Sequence, residues 1–78
     1  MKKKNKANTE AIALYKCQYN AAFQAVYAFF RSTYIVEAWM DSPNPLLGNV
    51  SPVEMLLAGR FVKLMGFIYT QLEENNER

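Results

Sequence analysis

From Glu10 to Phe30 the chain runs without a proline or a glycine. At 100° per residue, Ile12, Tyr15, Tyr19, Phe23, Val26 and Phe30 fall on one face. This pattern predicts a long amphipathic helix with that face turned to a core. Asn8 or Thr9 is a suitable N-cap, and Glu10 is favourable in the first turn. The opposite face carries Leu14, Cys17, Ala21, Ala25 and Ala28, with few charges. Small apolar side chains at this spacing let a second helix approach closely. That face is expected to be a helix–helix interface, in a homodimer or with another partner. The alternative is a helix covered on both sides by its own domain.

Arg31-Ser32-Thr33 breaks the pattern, and Ser32 or Thr33 suits the cap of a second helix over Tyr34–Met40. Trp39 is expected as a core anchor. Pro43 stops this helix, because the residue before a proline avoids the helical region. Pro43-Asn44-Pro45 then reads as a stiff turn, with Gly48-Asn49 supplying positive φ. Leu46 and Leu47 are expected to tuck the loop onto the core. Ser51-Pro52-Val53-Glu54 is a capping box with proline at the first helical position, and Gly59 reads as the stop of that short helix. A last helix spans about Arg60 to Glu74. Its face of Phe61, Leu64, Met65, Ile68 and Leu72 must be core. Gly66, in mid-helix, is expected to permit a close contact. Phe67 lies on the other side near Arg60, Lys63, Gln71 and Glu74, which makes these five the candidate partner-contact set, the alternative being that the first helix covers Phe67.

These elements predict an all-α fold, a small bundle of about four helices with a long first helix and a Pro/Gly-rich connector. A chain of 78 residues is one domain, here 8–75, with a disordered basic tail at 1–7 and a frayed tail at 76–78. So small a domain buries only about 60% of its unfolded surface. Against that, 51% of residues are hydrophobic and 14% aromatic. Part of this apolar material is expected to face another chain. Charge is uneven. Residues 1–31 hold six cations against Glu10, and 32–78 hold three cations against six acids, for net charges of +5 and −3. The two halves are complementary in a dimer.

There is no histidine, which removes the commonest general base and metal ligand. The single cysteine, Cys17, permits no internal disulfide and no structural zinc site. No phosphate-cradling glycine loop is present. The carboxylates Glu37, Asp41 and Glu54 are not placed together by any pattern, and two of them have ordinary helix-end roles. An enzyme is not expected, and neither is a cofactor or metal. The lysine head invites weak contact with phosphates, but only the last helix has the polar, basic outward residues of a DNA-recognition helix, and it also carries Glu73 and Glu74, so no specific nucleic acid is expected. No run approaches the roughly 20 apolar residues of a membrane span, and no signal peptide is recognisable. The expected location is the cytoplasm.

The ordered series Trp39-Met40, Ser42-Pro43-Asn44-Pro45-Leu46-Leu47-Gly48 and Ser51-Pro52-Val53-Glu54-Met55-Leu56 resembles the toxin-binding domain of the MbcA/ParS/Xre antitoxin family. Gly59-Arg60, Lys63-Leu64, Phe67-Ile68 and Gln71-Leu72-Glu73 look like a common version of its last helix, so the resemblance covers about residues 30–75. It implies a bacterial toxin–antitoxin system in which this protein binds a RES-type toxin, an enzyme that degrades NAD, and obstructs its active site. Trp39, Pro43, Asn44, Leu47, Gly48, Pro52 and Leu56 match the motif and are expected to be structural, with Gly59 as a further stop. Arg60, Lys63, Phe67, Gln71, Glu74 and the tail after Leu72 are expected to face the toxin. Two departures stand out. Asn49 occupies a position where a second glycine is usual, and the family's N-terminal helix-turn-helix has no counterpart in the first 30 residues. The alternative function is a homo-oligomeric adaptor or regulator, such as one carried by a phage, that turns the same domain to another protein partner.

Overall fold

A computed structural model of the chain describes the backbone of residues 2–76 and the side chains of residues 9–72. Four helices follow one another: α1 (Lys2–Phe30), α2 (Thr33–Asp41), α3 (Pro52–Leu57) and α4 (Phe61–Asn76), with a 3-10 turn at Pro45–Leu47. The fold is all-α. Among the described residues there is no strand, only one isolated antiparallel bridge between Asn44 and Val50.

α1 begins at Lys2 rather than at the cap candidates Asn8 and Thr9, and so takes in residues expected as a disordered tail. Lysine and alanine favour helix, and neither proline nor glycine interrupts the head, so propensity carries the helix through both candidates. At 1.5 Å per residue α1 is about 43 Å long, against overall dimensions of 54 × 25 × 19 Å. Its first turns therefore overhang the other helices. Side chains from Thr9 to Leu14 are all exposed, and burial starts at Tyr15. Ile12, expected in the core, is 54% exposed for this reason. Phe30, also expected in the core, is exposed at the other end. There the chain leaves the helix through Arg31 in the left-handed region, φ 60°. Such a conformation costs an arginine about 1 kcal/mol. Two hydrogen bonds offset it: Arg31 N–H donates to the Tyr27 carbonyl at 2.7 Å and its Nε to the Ala28 carbonyl at 3.2 Å.

The core is built from Ala22 and Val26 of α1, Val36 and Met40 of α2, Met55 and Leu56 of α3, and Leu64 and Ile68 of α4. α1 packs on all three other helices. Its innermost residue is Ala22, fully buried. A methyl side chain there brings the axes together, and Tyr15, Tyr19, Phe23 and Tyr27 flank the contact as a half-buried ladder with ring centroids 6.1, 6.0 and 6.3 Å apart. Of the expected stripe, Tyr15, Tyr19, Phe23 and Val26 do pack on the core. Trp39 joins them, half-buried. The small-residue stripe is divided. Leu14, Cys17 and Ala28 are exposed, while Ala21 is half-buried and Ala25 packs against the core.

α4 presents the expected face: Leu64 and Ile68 are buried, and Phe61, Met65 and Leu72 pack beside them. Gly66 differs from expectation. A Cβ added there would meet no atom within 4 Å, so the glycine makes no close contact. It lies on the outer side of α4 between Val62, 82% exposed, and Tyr69, 55% exposed.

Where α1 meets α2, the Tyr19 hydroxyl is held above its ordinary pKa, first by burial, then by the carboxylates of Asp41 and Glu37 and the neighbouring Tyr15. A pKa raised in the folded state contributes stability below the unfolded value, about 10, and that contribution is lost as pH rises through the folded value. Tyr19→Phe should therefore flatten the alkaline loss of stability above about pH 10, as read by urea titrations at several pH values. Gly66→Ala should stabilise the fold by about 1 kcal/mol, seen as a higher urea midpoint at unchanged slope. A lower midpoint would show that the open space beside Gly66 is occupied.

Candidate partner-binding site

The connector between α2 and α3 is closed by Asn44. Its N–H donates to the Val50 carbonyl at 3.0 Å. Its carbonyl accepts from the N–H groups of Leu47 and Asn49, both at 2.9 Å. Its side-chain Oδ1 accepts from Leu46 N–H at 2.9 Å, capping the 3-10 turn. Pro45 fills the first position of that turn, where its missing N–H costs nothing. Gly48 and Asn49 then reverse the chain in the left-handed region, at φ 81° and 66°. Asparagine tolerates this conformation better than any other residue with a large side chain. The departure from the resembled motif at position 49 therefore keeps a backbone that glycine would also adopt.

The helix after the loop is capped at both ends. Ser51 Oγ accepts from Glu54 N–H at 3.0 Å, and Glu54 Oε1 accepts from Ser51 N–H at 2.8 Å. Pro52 sits at the first helical position and is buried. At the far end, Gly59 at φ 77° lets Arg60 N–H reach the Met55 carbonyl at 2.8 Å and its own N–H reach Leu56 at 3.0 Å. This is the paired closure of a Schellman end. Ala58 is the cap residue and Gly59 the left-handed one after it. Ser42, which precedes Pro43, is extended at φ −98°, ψ 142°, and its hydroxyl donates to the Ala38 carbonyl. The motif residues Pro43, Asn44, Gly48, Pro52 and Gly59 thus act through backbone geometry. Leu47 and Leu56 act through the core: Leu56 is buried and Leu47 packs against it.

Leu46 departs from its expected role. It does not tuck inward but is 69% exposed. The turn can place only one of two successive leucines against the core, and that one is Leu47. Leu46 instead stands at the lip shared by two hollows. The larger, about 520 Å³, lies between Leu46, Leu47 and Val50 of the loop, Glu54, Met55 and Ala58 around α3, and Arg60, Lys63 and Phe67 at α4. The smaller, about 160 Å³, is walled by Phe29 and Phe30 of α1, Trp39, Leu46, Phe67 and Gln71, among others. Leu46 and Phe67 line both, so the two hollows adjoin at these side chains and together make up a two-part groove beside α4.

Four of the five expected contact residues, Arg60, Lys63, Phe67 and Gln71, line this groove. The side chain of Glu74 and the tail after Leu72 lie outside the described side chains. Phe67 is half-buried and serves core and groove together. Sequence reasoning missed Leu46, Phe29 and Phe30 as walls. Their positions in a turn and at a helix end were legible, but not that they would face the same side as Phe67. Among the described residues no three His, Cys, Asp or Glu side chains converge on a metal position. No described helix is long and apolar enough to cross a membrane.

Asn44→Ala removes the Oδ1 acceptor and should cost about 1–2 kcal/mol by chemical denaturation. Asn49→Gly should be neutral or stabilising, and Asn49→Val should cost about 1–2 kcal/mol. Equal effects of glycine and valine at 49 would contradict the left-handed assignment. No family model, curated protein or solved structure matches the chain.

Proposed function

We propose that this protein is a cytoplasmic antitoxin-like module that neutralises a RES-type toxin by binding beside its NAD-degrading active site and occluding it. The observation that carries this reading is the pair of left-handed residues Gly48 and Asn49 inside a loop closed by Asn44. The single departure within the resembled motif is conformationally silent, so the motif's backbone logic is intact. The capping box and the paired end of α3 add to the support. So does the gathering of Arg60, Lys63, Phe67 and Gln71 along one groove with the exposed Leu46. Inhibition by occlusion asks no chemistry of the inhibitor, only a shaped apolar surface with a few oriented polar groups. A chain without histidine suffices for that, and the proposal includes no catalytic residue, cofactor or metal.

A second reading, the homo-oligomeric adaptor, draws on one observation. Leu14 of α1 and Leu57 of α3 are 58% and 70% exposed and line a common hollow. A second copy covering that hollow would dimerise the protein away from the groove.

Co-expression with a RES-domain protein encoded beside it, followed by measurement of cellular NAD, tests the first reading. The wild-type chain should restore NAD and growth. Leu46→Asp should weaken binding roughly ten-fold or more and lose the rescue, with circular dichroism and melting unchanged because the side chain is already exposed. Failure of the wild-type chain to restore NAD sinks the toxin reading.

A further inference from the structure

The groove along α4 is apolar in its middle and cationic at one end. Leu46 and Phe67 form its centre, and Arg60 and Lys63 stand at the end nearest α3, both exposed. Neither cation is held by an ion pair among the described residues. One carboxylate, Glu54, lines the same hollow, and one of its oxygens is already bound to Ser51 N–H at 2.8 Å. That bond leaves Glu54 its charge, so two cations stand against one carboxylate and the end keeps a positive excess. From Arg60 to Gln71 the groove follows eleven residues of helix, about 16 Å or three turns. Its walls are pre-organised. Asn44 holds the turn that carries Leu46, and the closure of α3 on Met55 holds the backbone of Arg60. Walls already fixed lower the ordering cost of binding.

We infer that this groove seats an amphipathic helical segment of a partner protein, about three turns long, with apolar side chains against Leu46 and Phe67 and carboxylates beside Arg60 and Lys63. The charge at the groove's end selects the acidic partner, since a basic segment would bring like charges together. The chain's own exposed acidic helix, α2 with Glu37 and Asp41, is nine residues long, about 13 Å, and does not span the groove. The inference rests on the reading of the chain as a protein-binding module but not on the partner being a toxin.

The test uses the full chain, isotopically labelled, and two synthetic helix-stapled peptides of about fourteen residues, a length that spans the groove. Both carry leucine at i, i+4 and i+7. One has two glutamates in its first turn and the other has two lysines. The glutamate peptide should shift the amides of Leu46, Lys63, Phe67 and Gln71. It should bind roughly ten-fold tighter than the lysine peptide at low salt, with the gap closing as salt is raised. The double variant Arg60→Glu, Lys63→Glu should reverse the preference, and Lys63→Glu alone should narrow it, each with unchanged melting. Equal affinity for the two peptides overturns the inference. So does the absence of binding, or shifts confined to the exposed side of α1. Amide shifts that grow with protein concentration in the absence of peptide would put a second copy in the groove, which also overturns it. Loss of NAD rescue with the peptide preference intact would remove the toxin and leave the groove's assignment standing.

Discussion

Asn44 holds the connector of this bundle closed, and the rest of the architecture depends on that closure. Four hydrogen bonds converge on this one residue, three through its backbone and one through its side chain. They draw Val50 back beside Asn44, so that α3 starts next to where the α2 segment ends. Without that return, Met55 and Leu56 would not meet Val36 and Met40, and the core would lose a quarter of its wall. The left-handed pair Gly48 and Asn49 completes the return, setting Asn49 N–H on the Asn44 carbonyl and the Val50 carbonyl on Asn44 N–H.

The second constraint is the scarcity of interior. Among the described side chains eight hydrophobic ones are buried, in a chain of which 51% is hydrophobic. The remainder must stay near the surface, and it does so unevenly. Part of it forms the aromatic ladder that seals α1 against its neighbours. Part of it lines the groove, where Leu46 and Phe67 sit between the loop and α4. More of it lies on the outer face of α4 with Val62 and Tyr69, on the overhanging turns of α1 with Ile12 and Leu14, and at Tyr34, Ile35 and Leu57. A rigid loop that turns a leucine outward, with Leu47 beside it turned inward, separates packing from presentation within two successive residues.

Charge follows the same division. The cations at the start of α4 stand over apolar walls, while Glu54 is absorbed into the cap of α3. Glu37 and Asp41 face the Tyr19 side of α1, away from the groove, and raise the tyrosine's pKa after burial has done so. Two cations therefore face one carboxylate in the larger hollow, and that end of the groove keeps a positive excess.

The local devices were legible in the sequence. The Ser51–Glu54 box, the Ser32 cap, the positive φ at Gly48 and Asn49, the stop at Gly59 and the buried stripe of α4 can all be read from residue order. Each is closed by bonds within five residues or by the period of a single helix. The start of α1 was not legible, because propensity outweighed two plausible caps. Neither was the left-handed Arg31, which no glycine or asparagine marks. The centre of α1 was misplaced because a ranking by bulk passes over Ala22, whose smallness is what brings the helices together. Four of the five residues expected at the partner surface, Arg60, Lys63, Phe67 and Gln71, line the groove because they share one side of α4. Leu46, Phe29 and Phe30 join them only when α1, the connector and α4 come together, and that depends on interhelical distances and angles. The sequence by itself determined where the helices stop, turn and start again, because those choices are made by short-range hydrogen bonds and steric limits on φ. Only the tertiary structure decided which apolar side chains were left over for the surface, because burial is shared among elements far apart in the chain.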